Sequence, residues 1–223
     1  MFKILLIVFC SLWSAQIYAQ DWANLDKYKD SNMELIKKKD TRRVVFMGNS
    51  ITEGWGNYPM FDNPSFINRG ISGQTTPQML VRFRRDVVDL NPTAVVVLAG
   101  INDIAGNTGP STLAMIFDNI KSMCEIASSN GISVILCSVL PANDFPWRPN
   151  MFPAPKVIAL NRMIKKYADN KNYLYVDYYT PMVDEKDGLK PDLGSDGVHP
   201  NDKGYAIMEP LAKQAINKVL QVR

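Results

Sequence analysis

Val44-Val45-Phe46-Met47-Gly48-Asn49-Ser50 is an unbroken apolar run that ends in a glycine, an amide and a hydroxyl. A strand with one wet face alternates apolar and polar side chains, whereas a strand covered on both faces is apolar throughout. The run therefore predicts a strand inside a sheet that is sandwiched between helices. Two more segments share its character: 94–99, which ends at Gly100, and 132–140, which is stopped by Pro141. Residues 173–176 and the short Phe66-Ile67-Asn68 ahead of Arg69-Gly70 are further strand candidates.

Between these runs, apolar residues return at helical spacing. Met79, Leu80, Phe83, Val87 and Leu90 follow Pro77; Ile116, Ile120, Met123 and Ala127 form a second stripe; Val157, Leu160, Ile164 and Tyr167 a third. Ile207, Leu211, Ala215 and Val219 close the chain as a helix that Pro210 bends or starts. The polar stretch 26–39 reads as a surface helix ahead of the core. Strands alternating with helices imply a parallel sheet with right-handed crossovers. The expected fold is thus a three-layer α/β/α sandwich around a parallel sheet of about five strands. Ligands of such folds sit beyond the carboxyl ends of the strands. That rule selects the loops 48–56, 70–76, 100–107, 141–155 and 177–200.

The first residues have a different character. Lys3, the apolar run 4–13 and Ile17-Tyr18-Ala19 before Gln20 have the layout of a secretory signal peptide, with a membrane anchor as the alternative. The expected organisation is a leader over 1–19 and a single domain over 20–223, exported to the periplasm or beyond. No later stretch is long and apolar enough to cross a bilayer. Loss of Lys3 with the leader lowers the net charge by one from +3, too weak a balance to make nucleic acid a default partner. Arg82, Arg84 and Arg85 form the densest basic cluster and read as a solvated helix face. Cys10 leaves with the leader. Cys124 and Cys137 lie in apolar contexts and read as buried thiols, a disulfide between them being the alternative. A lone histidine and the lack of any C-x-x-C argue against a zinc site.

The chemistry-bearing residues cluster at the selected strand ends. Ser50 follows the first strand; it is either a nucleophile or a helix-capping serine. Gly70 and Gly73 flank Ile71-Ser72, and either forms an ordinary turn or lets a backbone N–H approach a ligand. In Gly100-Ile101-Asn102-Asp103 the Asn102 amide is a candidate donor to a developing oxyanion, or a cap; Asp103 orients the loop. The only histidine of the chain, His199, stands three residues after Asp196 in Asp196-Gly197-Val198-His199-Pro200. A carboxylate that accepts Nδ1–H leaves Nε2 free to take a proton from serine. Pro200 suits the first turn of the next helix. Asp144, Asp177, Asp184 and Asp192 read as turn and cap residues rather than metal ligands.

These segments, in this order, resemble the four blocks of the SGNH hydrolase family, the GDSL-type esterases and lipases. The blocks contribute Ser, Gly, Asn and His, matched by Ser50, Gly73, Asn102 and His199. G-x-N-D is intact at 100–103 and D-x-x-H at 196–199. G-D-S is altered to Gly48-Asn49-Ser50, without the carboxylate beside the nucleophile. The resemblance runs from about 43 to 220. It implies a flavodoxin-like α/β/α fold and a serine esterase needing no metal or cofactor. It further implies a triad of Ser50, His199 and Asp196, with an oxyanion hole made by the N–H groups of Ser50 and Gly73 and the Asn102 side chain.

The substrate is read from the loop over 141–153. Its prolines restrict it. Trp147 is a candidate to stack on a sugar ring and Arg148 to pair with a carboxylate; the alternative is that Phe145, Trp147 and Phe152 anchor the loop. Trp55 and Tyr58 are similar candidates on the first loop. The expectation is removal of small acyl groups such as acetyl from glycans. A lipid-directed esterase, a non-catalytic glycan-binding protein on the same scaffold and a flavodoxin-like cofactor carrier are the competing readings.

Overall fold

The computed structural model of the chain describes residues 21–40 and 42–221. Five parallel strands, β1 (Val44–Gly48), β2 (Phe66–Gly70), β3 (Ala94–Leu98), β4 (Ser133–Cys137) and β5 (Leu174–Val176), form one sheet in the order β2-β1-β3-β4-β5. All neighbouring pairs are parallel, and Gly48 pairs with Gly70 on one side and Leu98 on the other. The order reverses at β1, so the crevice for a ligand opens over the carboxyl ends of β1 and β3.

The helices are α1 (Lys29–Ile36), α2 (Ser50–Trp55), α3 (Thr76–Asp86), α4 (Ile101–Ile104), α5 (Leu113–Ser129), α6 (Ala154–Lys171), α7 (Tyr179–Met182) and α8 (Asp202–Gln221). The period of a strand sorts its side chains to alternate faces. Val45, Met47, Val95, Val97 and Val134 pack with Met79, Phe83, Ile116, Ile120, Val157 and Leu160 of α3, α5 and α6. Val44, Phe46, Val96, Ile135 and Val176 pack with Ile51, Trp55, Met182, Tyr205, Met208 and Ala212 of α2, α7 and α8. Every residue of β1 and β3 is buried, as two covered faces require.

Several sequence expectations need correction. The fourth strand is shorter than 132–140. Pro210 lies inside α8 rather than at its start, and Pro200 precedes that helix, bridged to Gly194. Cys124 and Cys137 are, as expected, both free and buried; they belong to the cores on opposite faces of the sheet, which rules out the alternative of a disulfide between them. Arg82 is 0% exposed, so only Arg84 and Arg85 face outward from the basic cluster. Among the described residues no helix is long and apolar enough to cross a membrane, and no group of metal-ligating side chains is found. The expected leader over 1–19 lies outside the described residues.

Candidate active site

Ser50 is the first residue of α2, directly beyond β1. Asn49, buried, caps the helix by accepting the Ile51 N–H at 3.0 Å through Oδ1. An amide oxygen caps as well as a carboxylate does, which explains why Asn in the altered G-D-S leaves this turn intact. No protein acceptor among the described residues takes the Ser50 N–H.

Ser50 Oγ lies 2.9 Å from His199 Nε2, and His199 Nδ1 lies 2.7 Å from Asp196 Oδ2. The short D-G-V-H segment achieves this by wrapping around the carboxylate: Asp196 Oδ1 also accepts the N–H groups of Val198 at 3.0 Å and His199 at 2.8 Å. Gly197 takes the positive φ of +81° that the wrap requires. Partial burial works against ionisation of Asp196, but the donated N–H groups of His199 and Val198 and the His199 ring outweigh it and hold the carboxyl below its ordinary range. An ionised Asp196 fixes the proton on Nδ1, leaving Nε2 to accept from the serine hydroxyl.

Gly73 sits in the turn after β2 with φ +76°, in open space. The turn is clamped from several sides. Glu53 accepts from both the N–H and the hydroxyl of Ser72 and is itself paired with Lys27. Asn107 Nδ2 donates to Gly73 O at 3.2 Å, and Asn102 Nδ2 donates to Gln74 O at 3.0 Å. Among the described residues one hydrogen of the Asn102 amide has no protein acceptor, and neither has the Gly73 N–H. Glu53, Asn107 and Gln74 belong to no sequence motif; the only local signal is that Glu53 follows Ser50 by one helical turn. Asp103, buried, accepts the Thr76 N–H at 3.0 Å and its hydroxyl at 2.6 Å, tying the loop after β3 to the start of α3. Burial pushes its carboxyl up to about 6, against the opposing pull of the Thr76 donors.

The aromatic candidates separate. Trp147 is 45% exposed, stacks on buried Phe145 with centroids 5.2 Å apart, and lies 6.0 Å from the His199 ring. Trp55, in contrast, is 2% exposed and packed among Phe46, Phe61, Tyr178 and Tyr205. It is a core residue and not a substrate contact: α2 turns Ile51 and Trp55, one helical turn apart, toward the sheet. Arg148 Nη1 donates to the carbonyls of Ala105 and Gly106, so it fastens the loop rather than waiting for a carboxylate. Tyr58 donates to Asp202 at 2.7 Å and packs on Tyr205. Phe152 does not anchor its loop, being mostly exposed. Asp144, Asp177 and Asp184 accept backbone N–H groups of nearby turns, as expected.

The arrangement combines a hydroxyl, a base oriented by a carboxylate, and free N–H donors around one strand edge. Comparison with known proteins points the same way. The structure of a GDSL-like lipase from Bacteroides thetaiotaomicron is 49% identical, covers 88% of this chain and 98% of its own, and superposes with a TM-score of 0.84. A structure from Bacteroides fragilis, provisionally described as an acylhydrolase, is 50% identical over 91% of this chain and 100% of its own, with a TM-score of 0.88. An acetylxylan esterase of Xylanibacter ruminicola is 24% identical over 217 residues, which are 80% of this chain and 44% of that protein. The chain spans less than half the length of the curated relatives it matches. Residues 46–207 match the model of the GDSL-like lipase/acylhydrolase family, to which the chain belongs.

Proposed function

We propose that this protein is an exported serine esterase that removes small acyl groups, acetyl above all, from carbohydrate. The observation that carries the chemistry is the continuous hydrogen-bonded chain from Ser50 through His199 to Asp196. Ser50 Oγ attacks the ester carbonyl carbon while its proton passes to His199 Nε2. Asp196 stabilises the imidazolium. The oxyanion of the tetrahedral intermediate accepts from the Ser50 and Gly73 N–H groups and the unused Asn102 hydrogen. Collapse breaks the bond to the alkoxy oxygen, which leaves with the proton from Nε2. Water then adds to the acyl-serine, again giving its proton to Nε2, and the acid departs as Ser50 recovers its hydrogen.

The carbohydrate side rests on the exposed face of Trp147 beside His199, suited to stacking on a pyranose, and on the similarity to an acetylxylan esterase. Export rests on the leader-like layout of 1–19. A lipid-directed esterase is the second reading, favoured by Phe152 and Trp147, two exposed apolar rings on one loop at the site.

The test is hydrolysis of p-nitrophenyl acetate, butyrate and octanoate and of acetylated xylo-oligosaccharides. Fastest turnover of acetyl esters and release of acetate from the glycan support the proposal. Rates that climb with chain length select the lipid reading. Absence of turnover, with no labelling of Ser50 by a fluorophosphonate, removes the esterase altogether.

A further inference from the structure

A guanidinium with no access to water is an unusual use of a basic residue. Arg82 is completely buried in α3, and burial holds its pKa down against the pull of Asp86. Its Nη1 is paired with Asp86 Oδ2 at 2.9 Å. Asn32 Nδ2 completes Asp86 Oδ1 at 2.7 Å. A buried ion pair of this kind is a poor source of stability, because desolvation consumes most of the Coulombic gain. The other donors of Arg82 show what it is used for. Nη2 donates to Gly48 O at 3.0 Å, two residues before the nucleophile, and Nε donates to Gln74 Oε1 at 2.6 Å, next to Gly73. The carbonyl of the same Gln74 accepts from Asn102 Nδ2.

One planar cation therefore cross-ties the chain at the ends of β1 and β2, and through Gln74 the end of β3. These are the segments that carry the Ser50, Gly73 and Asn102 donors. Resting on the esterase reading above, we propose that Arg82 is a positioning residue that keeps the three oxyanion donors in register, reaching the site from beneath without touching substrate. The role suits arginine, whose fork of fixed donors satisfies three partners in set directions. Lysine presents a compact ammonium on a flexible stem. Sub-ångström placement matters here: a group displaced by about 1 Å in such a site can cost ~10²-fold in rate.

The experiment measures kcat and KM on p-nitrophenyl acetate, together with thermal melting, for wild type, Arg82→Lys, Asn102→Ala, the double variant, Gln74→Met and Gln74→Glu. Folded Arg82→Lys should lose about 10–100-fold in kcat with KM within about twofold. Its loss combined with that of Asn102→Ala should be smaller than the product of the two, because both act on one oxyanion site. Gln74→Met, which removes the acceptor for Nε, should lose clearly more kcat than Gln74→Glu, which keeps one; both forfeit the Gln74 bond to Ala23 O. Wild-type kcat in Arg82→Lys, or fully multiplicative losses in the double variant, overturns the proposal while leaving the esterase intact. If Arg82→Lys does not fold, equal kcat in the two Gln74 variants overturns it. A wild type that neither hydrolyses esters nor is labelled at Ser50 overturns both readings at once.

Discussion

Two loops at the same edge of the sheet are built on opposite terms. The connection after β1 has no slack: Asn49 caps α2 at once, Ser50 is its first residue, and Trp55 drives the helix onto the core. The connection after β4 is long and rich in proline, with Asn150 and Phe152 at positive φ and Trp147 and Phe152 left open to water. Both carry a tryptophan near the site, yet Trp55 is core and Trp147 borders the imidazole. The difference teaches that nearness in sequence to a catalytic residue does not make an aromatic a substrate contact; the face of the element on which it falls does. Ser50 sits on a short connection braced by packing, Asp196 and His199 on the connection between α7 and α8 held by the wrap around the carboxylate, and Trp147 on a longer loop pinned at a few points, here by Phe145 and Arg148.

The contrast breaks most sharply at Ser50 and His199. Ser50→Ala or His199→Ala should cost more than about 10⁴-fold in kcat while the fold persists; near-normal turnover in Ser50→Ala would take the chemistry out of the tight loop, and in His199→Ala would remove the imidazole as its base. Trp55→Ala should act on stability instead, at about 3–5 kcal/mol, or a fall in Tm of roughly 10 °C. Calorimetry checks this, and an unchanged Tm with weakened glycan binding would return Trp55 to the substrate.

Asp103 extends the braced class to the loop after β3. Its carboxyl is pushed up to about 6, against about 3.9 in an unfolded chain. Folding therefore favours its protonated form. The stability that this group contributes is fully present below about pH 4 and is lost as pH rises through about 6, amounting to about 3 kcal/mol. In Asp103→Asn the dependence of Tm on pH between about 4 and 6 should flatten; an unaltered slope assigns it to another group. The smallest effect belongs to the open loop. Trp147→Ala should leave Tm nearly unchanged and raise KM for acetylated xylo-oligosaccharides about 3–10-fold, with a smaller change for p-nitrophenyl acetate. Equal effects on both would make Trp147 a support for His199 rather than a platform.

The sequence by itself determined the sheet and the strand-end loops. Runs such as 44–47 and 94–99 can be apolar throughout only when both faces are covered, and the helical stripes between them leave one topology class. Through its resemblance to the SGNH hydrolase family it also presented Ser50, Gly73, Asn102, Asp196 and His199 as a set, since the matching motifs are short and local. Only the tertiary structure decided which polar residues brace that set. Arg82 reads as one member of a solvated cluster; Asp86 lies one turn on along α3 and Gln74 just before that helix, but the contact that brings Arg82 to the strand end, with Gly48 O, crosses 34 residues and is made by the fold. Glu53 holding Ser72, the fate of Trp55 and the separation of the two cysteines have the same origin. Hydrophobic period is a property of neighbours along the chain, whereas partners of a buried polar group are chosen by the fold that brings distant segments together.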